Sequence, residues 1–247
     1  MQGLRLAFAW LSVLPVRVDT VDDRTGRRAI SFAPLVGAAL GVFAALLLRT
    51  LLALGAPALL AGLLTVAALA LATRGMHIDG LADTVDGLGC YGPAERALSV
   101  MRDGSTGPFA VAGLVLTIGV QATGFAAAAS HGEWGVVVLA CAGGRAAFPL
   151  CCRRGIPAAR QEGMGALVAG TQPRGTVFAW WAALLLAGGF ATPGTWWVGL
   201  AAVVLTFCSL WVLSRHVLRR FGGVTGDVLG ACCELGTTLL LAICALG

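Results

Sequence analysis

The sequence predicts an all-α fold, an integral membrane bundle of about seven transmembrane helices with its polar loops on the cytoplasmic side. Of the 247 residues, 58% are hydrophobic and only 12% are charged, whereas a soluble domain is about 45–50% apolar and about 25% charged. The apolar residues also form runs long enough to cross a hydrocarbon layer of about 30 Å as helices. These runs are rich in Ala and Leu and lack the alternation of membrane strands.

Seven apolar runs are the predicted transmembrane helices. Several contain nearer 17 than 20 residues, which is the lower limit for a span. In chain order they cover residues 34–54, 57–73, 108–130, 134–151, 176–192, 195–213 and 228–246.

The arginines predict the orientation of these helices. All 17 basic residues are Arg, and they concentrate in the segments 17–30, 74–107, 152–175 and 214–227. The connections 55–56, 131–133 and 193–194 contain none. Because positive residues mark the cytoplasmic side, we expect three short outward hairpins and long cytoplasmic loops. The arginines are spread between apolar runs and form no stripe, so we predict no nucleic-acid partner.

These features predict one membrane-embedded domain over residues 1–247, in the cytoplasmic (inner) membrane of a bacterium. Residues 1–33 are predicted to form a cytoplasmic or interfacial segment, and residues 74–107 the acidic catalytic loop and helix. Residues 152–175 and 214–227 are further cytoplasmic loops. Besides the lipid bilayer, a second copy of the chain is left open as a partner.

An acidic helix edge is the strongest functional motif. Asp79, Asp83 and Asp86 are spaced i, i+4 and i+7, so their side chains share one helix face, with His77 beside them. Three neighbouring carboxylates repel one another and are costly inside a bilayer. A hard cation that prefers oxygen ligands, such as Mg²⁺, would offset this repulsion.

A solvated helix face is the alternative interpretation of this edge, with Arg74, Arg96 or Arg102 as counter-charges. The flanking Gly80 and Gly87 favour the metal site instead, because glycine within a helix indicates close approach by something bulky.

The segment 101–108 ends this polar loop and opens a membrane helix at Pro108. Gly104 and Gly107 would leave backbone N–H groups free at the helix N-terminus, where phosphate oxygens bind readily. A capping turn made by Ser105 or Thr106 is the alternative.

Two further segments carry candidate residues. Asp227 and Glu234, in residues 221–234, lie on one face of the last apolar helix, and an acidic residue in a membrane helix is by default functional. The alternatives are that Asp227 caps the helix and that the acids pair with Arg. Residues 160–165, Arg-Gln-Glu-Gly-Met-Gly, read by themselves as a surface loop.

These motifs resemble the cobalamin synthase family, the adenosylcobinamide-GDP ribazoletransferases, in order and over nearly the whole chain. The block Gly75-x-His77-x-Asp79-Gly-Leu-Ala-Asp83-Thr-x-Asp86-Gly87 is the most specific part. The other matching blocks are Phe32-x-Pro34-Leu-Val-Gly37, Glu95-Arg96, Met101-Arg102-Asp103, Ala159-Arg160-x-Glu162-Gly-Met-Gly165 and Gly222-Gly-x-Thr225-Gly-Asp227-x-x-Gly230-Ala-x-x-Glu234. In one departure, Gly104 and Ser105 stand where the family usually has Ser and a basic residue.

The resemblance implies an enzyme of cobalamin biosynthesis that transfers the adenosylcobinamide-phosphate moiety from adenosylcobinamide-GDP to α-ribazole or its 5′-phosphate, releasing GMP. It implies Mg²⁺ bound by Asp79, Asp83, Asp86 and Asp103, with Asp86 or Asp103 as the favoured base and His77 as a second candidate. The implied substrate-binding residues are Arg102, Gly107, Arg160, Glu162, Thr225, Asp227 and Glu234.

Three other classes of protein share some of these features. A phosphotransferase of the CDP-alcohol type and a membrane prenyltransferase both place Asp ladders at the cytoplasmic face. The phosphotransferase pattern, however, has Ala-Arg where this chain has Ala82-Asp83. In a cation carrier the acids would line a path across the membrane, whereas Glu133 is the one acidic residue in the predicted outward hairpins.

Overall fold

The computed structural model describes residues 2–18 and 22–247, and within them the chain is helical with no β-strand. A short 3₁₀ turn at Pro193–Thr195 precedes the eleventh of twelve α-helices. The helices are α1 Gln2–Leu11, α2 Asp23–Ser31, α3 Ala33–Ala53, α4 Ala58–Ala72, α5 Met76–Gly89, α6 Ala94–Val100, α7 Pro108–Ser130, α8 Trp134–Cys151, α9 Met164–Val168, α10 Arg174–Ala191, α11 Trp196–Phe221 and α12 Gly226–Cys244.

Six of these helices, α3, α7, α8, α10, α11 and α12, are long and apolar enough to cross a membrane. A seventh span exists if α4 and α5 are taken together as one broken helix. The predicted class, a polytopic helical membrane bundle, is confirmed. Helix α11 continues to Phe221, beyond the apolar run that ends at residue 213. Its last turns carry Arg215, Arg219 and Arg220, so the apolar run stops before the helix does.

Helix α8 lies at the centre of the bundle, with 83% of its residues buried. Small residues bring its neighbours into backbone contact. A β-carbon on Gly37 of α3 would lie 2.8 Å from the Cα of Ala142, and one on Gly144 of α8 would lie 2.6 Å from the Cys233 carbonyl oxygen of α12. Such contacts let membrane helices pack closely, and they fix α12 against α8.

Helices α4 and α5 meet at a bend of 94°. The bend is made by two consecutive residues in the left-handed region, Arg74 with φ 58° and Gly75 with φ 69°. Glycine adopts this conformation without steric cost, whereas Arg rarely does. The Arg74 guanidinium donates hydrogen bonds to the carbonyl oxygens of Ala9 and Trp10 at 3.2 and 3.3 Å, so the bend is tied to α1.

After the bend, α5 packs against the first halves of α7 and α12 and runs in the opposite direction to both. On the α7 side, Gly89 of α5 lies against Phe109, and Val85 of α5 lies against Gly113. On the α12 side, His77 lies against Gly230. The acidic helix is therefore enclosed by two membrane helices. We call the end of the bundle where α5 meets the first turns of α7 and α12 the site end.

Candidate active site

The candidate site is built on a close crossing of α5 and α12. A β-carbon on Gly80 would lie 2.6 Å from the carbonyl oxygen of Asp227 and 2.9 Å from its Cα. One turn further along, a β-carbon on Gly230 would lie 3.1 Å from the Cα of His77. Only glycine permits this approach, and it brings the acidic edge of α5 beside Asp227.

The carboxylates of the two helices form one concentration of negative charge. Asp79 is exposed, whereas Asp83 and Asp227 are half-buried. The charges of Asp227, Asp79 and Asp86 all act on Asp83, and the nearby positive charge that opposes them is that of Arg160. One guanidinium cannot neutralise four carboxylates, so the site is suited to a further cation.

Arg160 connects three segments of the chain at this point. Its Nη1 lies 3.2 Å from Oδ2 of Asp227 in an ion pair, and its Nη2 donates a hydrogen bond of 3.1 Å to the carbonyl oxygen of Leu98 on α6. The loop that reads as surface in the sequence therefore reaches into the site. The geometry agrees with the grouping of Arg160 and Asp227 among the candidate residues.

Thr225, not Asp227, caps α12. The Thr225 side-chain oxygen accepts a hydrogen bond of 3.2 Å from the Val228 N–H, and its hydroxyl donates to Asp227 at 3.3 Å. The alternative that Asp227 merely caps the helix is therefore wrong. Thr225 caps the start of α12 and at the same time orients the carboxylate of the site.

Asp86 caps a different helix from its own. Its Oδ2 accepts a hydrogen bond from the Gly107 N–H, at 2.6 Å, and its Oδ1 one from the Ala110 N–H, at 2.9 Å, so it satisfies the N-terminus of α7. The prediction of free N–H groups for phosphate at Gly107 is wrong, because Asp86 occupies that N–H. Neither Ser105 nor Thr106 caps the helix in the described structure.

The glycines of the acidic edge make room for protein. Gly80 faces the backbone of Asp227, and a β-carbon on Gly87 would lie 2.7 Å from the side chain of Met101 and 3.3 Å from Phe221. The expected close approach exists, but helices of this chain make it. These glycines are therefore no evidence for a bulky ligand.

The remaining loop candidates are exposed. Asp103 accepts a hydrogen bond of 3.1 Å from the Ser105 hydroxyl. Arg102 is exposed beside it. Glu162 is also exposed and lines a cavity of ≈ 180 Å³ together with Arg160, Thr225 and Asp227, which we call the outer cavity.

Glu234 belongs to a separate polar cluster two turns deeper in the bundle. Its Oε2 accepts a hydrogen bond of 2.8 Å from the Gln121 side chain, and its Oε1 lies 3.9 Å from Nδ1 of His77. The guanidinium of Arg145, itself only 3% exposed, interacts electrostatically with Glu234. Asp227 and Glu234 therefore lie in different environments.

The sequence reasoning missed Arg145 and Gln121. A signal was available, because Arg145 lies in the middle of the apolar run 134–151 and a charged residue in a membrane helix requires a partner. The partner lies on α12, 89 positions away, and the sequence spacing does not reveal it.

Metal-ligating atoms come closest together in this deeper cluster. Among residues 2–18 and 22–247, one group of three or more potential ligands has all its atoms within 4.8 Å, namely His77, Cys233 and Glu234. Arg145 lies beside it, and its positive charge opposes a cation there. The acids of α5 do not meet this distance, so they form no closed set of protein ligands.

A second cavity, of ≈ 260 Å³, opens beside the crossing of α5 and α12; we call it the inner cavity. Its apolar wall consists of Trp10, Leu11, Ile30, Met76, Phe148 and Met164, with Leu229 and Gly230 from α12. His77, Asp79 and Asp227 supply its polar groups. Because the two cavities share Met164, Gly226 and Asp227, Asp227 lies between an apolar space and a polar one.

Fold and site together define a class: a polytopic helical membrane protein with an acidic site at one end of the bundle, assembled from a broken helix and a neighbouring membrane helix. Residues 3–245 match the family described as Cobalamin-5-phosphate synthase. The chain belongs to this family, which confirms the resemblance stated from the motifs.

Relatives that share one name, adenosylcobinamide-GDP ribazoletransferase, match nearly the whole length of the chain. The chain is 38% identical to an adenosylcobinamide-GDP ribazoletransferase of Corynebacterium efficiens, over 99% of this chain and 91% of the relative. It is 42% identical to one from Nocardioides sp., over 96% and 95%. It is 39% identical to one from Pseudomonas syringae pv. syringae, over 98% of each. No solved structure matches the chain.

Proposed function

We propose that this protein is an adenosylcobinamide-GDP ribazoletransferase. It transfers the adenosylcobinamide-phosphate moiety from adenosylcobinamide-GDP to a ribose hydroxyl of α-ribazole or of its 5′-phosphate, and GMP leaves. The family match over residues 3–245 and the names of relatives at 38–42% identity support the reaction.

The close crossing at Gly80 and Asp227 is the observation that carries the proposal at the level of residues. It gathers Asp79, Asp83 and Asp227 around the single guanidinium of Arg160. A site for a diphosphate needs cationic groups for the phosphate oxygens and carboxylates for a metal ion. This crossing supplies both at one end of the bundle.

The donor set fits Mg²⁺ as the cofactor. Carboxylate oxygens are the ligands that this cation prefers, and Mg²⁺ keeps several waters or substrate oxygens rather than filling its shell with protein. An open set in which the acids are not all within 4.8 Å of one another suits that preference. Asp79 and Asp83 would hold the ion, with Asp227 beside them. Asp86 and Asp103 stay predicted ligands; Asp86 also anchors α7.

In the reaction a new bond forms between the ribose hydroxyl oxygen and the phosphorus on the cobinamide side. The bond from that phosphorus to the bridging oxygen breaks, and GMP leaves with the bridging oxygen and the electron pair of the broken bond. Bound Mg²⁺ would neutralise the charge that develops on the leaving phosphate. Arg160 orients the phosphate oxygens from the outer cavity.

The proton of the attacking hydroxyl passes to a carboxylate of the site. Asp86 and Asp103 are the two bases that the sequence favours. Both oxygens of Asp86 already accept N–H groups of α7, whereas Asp103 is exposed and accepts one hydrogen bond from Ser105. Asp103 is therefore the freer of the two.

We place the protein in the bacterial cytoplasmic membrane with its site end in the cytoplasm. The connections at the other end of the bundle, between α3 and α4, α7 and α8, and α10 and α11, contain no Arg, whereas the loops at the site end are rich in it. Positive residues remain on the cytoplasmic side during insertion. This orientation gives a nucleotide-linked substrate direct access to the acidic site.

The proposal is tested by turnover of the purified full-length protein in lipid nanodiscs. Adenosylcobinamide-GDP and α-ribazole 5′-phosphate are supplied with Mg²⁺, and GMP and the corrinoid product are measured with and without EDTA. We expect equal amounts of both products, and loss of both in EDTA. A well-folded protein that binds Mg²⁺ but forms neither product would contradict the proposal and favour another nucleotide-activated alcohol as substrate.

A further inference from the structure

The inner cavity combines an apolar wall with a lining residue, His77, that has a buried ring nitrogen without a hydrogen-bond partner among the described residues. His77 is 2% exposed, and its Nδ1 faces Cys233 at 3.8 Å and Glu234 at 3.9 Å. Its other ring nitrogen, Nε2, is buried, and no described atom forms a hydrogen bond with it. A buried polar atom without a partner is unfavourable, and His77 lines the cavity, so the unpaired nitrogen supports a ligand there.

We infer that the inner cavity is the subsite for the bicyclic aromatic base of the ribazole substrate. Nε2 of His77 donates a hydrogen bond to the unsubstituted ring nitrogen of that base. The inference rests on the proposed function and deepens it, because it assigns the acceptor substrate to one of two neighbouring cavities. A dimethylated benzimidazole offers apolar faces and edges and a single free acceptor nitrogen. In the tautomer with its proton on Nε2, His77 donates to that nitrogen.

The wall of the inner cavity matches a flat apolar base. Trp10 and Phe148 supply aromatic surface for stacking or edge contacts, while Ile30, Met76 and Met164 supply aliphatic and thioether surface. The volume of ≈ 260 Å³ excludes a corrin ring. A guanine base has donors and acceptors along several edges, whereas the polar groups of this cavity are confined to His77, Asp79 and Asp227, so the apolar wall would leave part of the guanine edge without partners.

The position of the cavity also fits the reaction. Asp79 and Asp227 lie at its polar side, and Asp227 borders the outer cavity, where Arg160 and Glu162 lie. A nucleoside whose base fills the inner cavity would present its ribose to the carboxylates. The diphosphate would then approach through the outer cavity, from the other side of Asp227.

The size of the cavity is tested at Ile30, which is 3% exposed and lies on α2, a helix that carries none of the acids of the site. We expect Ile30→Phe to raise KM for α-ribazole 5′-phosphate by about tenfold or more, with KM for adenosylcobinamide-GDP within about twofold of wild type. Ile30→Ala should accept a ribazole analogue with a larger fused base better than wild type does. Ala187→Phe is the control, because it fills an apolar groove between α3 and α10.

The hydrogen bond is tested with an analogue in which C–H replaces the free ring nitrogen of the base. Wild type should prefer the nitrogen-containing substrate by about tenfold. His77→Phe, which retains the aromatic contact with Phe148, should lose this preference whatever its overall rate. A preference that survives in His77→Phe would overturn the role of His77.

Failure of the inference and failure of the proposed function give different results. Wild-type turnover with an unchanged ribazole KM in both Ile30 variants would overturn the subsite and leave the reaction intact. A rise in the KM of adenosylcobinamide-GDP alone would assign the cavity to guanine and also overturn the inference. If wild type forms no product, equilibrium binding of α-ribazole 5′-phosphate decides: weaker binding by Ile30→Phe supports the subsite, and equal or absent binding overturns it.

Discussion

Gly80 and Asp227 touch through their backbones, and this contact sets the distance between the acidic helix and its partner. Because a β-carbon at Gly80 would lie 2.6 Å from the carbonyl oxygen of Asp227, α5 and α12 must separate if Gly80 becomes Ala. The acids of α5 would then move away from Asp227 and Arg160.

We therefore expect Gly80→Ala to lower kcat/KM by about 100-fold, since a displacement of about 1 Å within a site has that effect. Turnover in nanodiscs checks this. The matched control is Gly119→Ala on α7, where a β-carbon meets no atom within 4 Å. Equal activities of the two variants would show that the close crossing is unimportant for catalysis.

Asp86 is expected to stabilise the fold through α7, whether or not it also binds a metal ion. Asp86→Ala leaves the N–H groups of Gly107 and Ala110 without their acceptor, and loss of a helix cap costs about 0.5–2 kcal/mol. Thermal unfolding of the metal-free protein should therefore occur at a lower temperature. Asp103→Ala, at an exposed loop position, should leave the unfolding temperature unchanged; equal shifts would contradict the capping role.

Activity should fall even when Arg160 is replaced by a residue of the same charge. Its two terminal nitrogens contact Asp227 and the carbonyl oxygen of Leu98 at the same time, and Lys cannot reproduce that fork. We expect Arg160→Lys to reduce kcat/KM for adenosylcobinamide-GDP by tenfold or more, at about 1.4 kcal/mol per factor of ten. In a double-mutant cycle with Asp227→Asn, the two changes should be non-additive by about 0.5–3 kcal/mol. Strict additivity would mean that the ion pair has no role in turnover.

Glu234 should matter for stability more than for chemistry. Glu234→Ala removes the acceptor of the Gln121 side chain and a negative charge that acts on buried Arg145. Loss of one member of a buried charged group costs about 3–5 kcal/mol, so the variant should unfold at a markedly lower temperature. Glu234→Gln keeps an acceptor oxygen for Gln121 and should lose less. If Glu234→Ala is as stable as wild type but inactive, Glu234 acts on the substrate instead.

The fold was largely predictable because lipid imposes a simple rule on the sequence. Each spanning helix must be an apolar run, and the run 134–151 coincides with α8, Trp134–Cys151. The bend between α4 and α5 was not predictable, since it depends on an Arg at positive φ, which no propensity favours.

The site was predictable only in part, because spacing along one helix says nothing about which second helix lies against it. The pattern of Asp79, Asp83 and Asp86 was visible in the sequence. The sequence also suggested a phosphate site at the N–H of Gly107. It did not show that Asp86, 21 positions away, accepts a hydrogen bond from that N–H. Asp227 lies beside the acids of α5 because its backbone contacts Gly80. The sequence indicated Gly80 only as a point of close approach.

The most direct test of the central claim is a measurement of bound Mn²⁺, as a paramagnetic substitute for Mg²⁺, by electron paramagnetic resonance of the protein in nanodiscs. The acidic site at the crossing predicts saturable binding to wild type and to Asp103→Asn. It also predicts binding weakened by at least about tenfold in Asp79→Asn/Asp83→Asn, without loss of folded protein. Undiminished Mn²⁺ binding by the double variant would contradict the account and move the metal site away from Asp79 and Asp83.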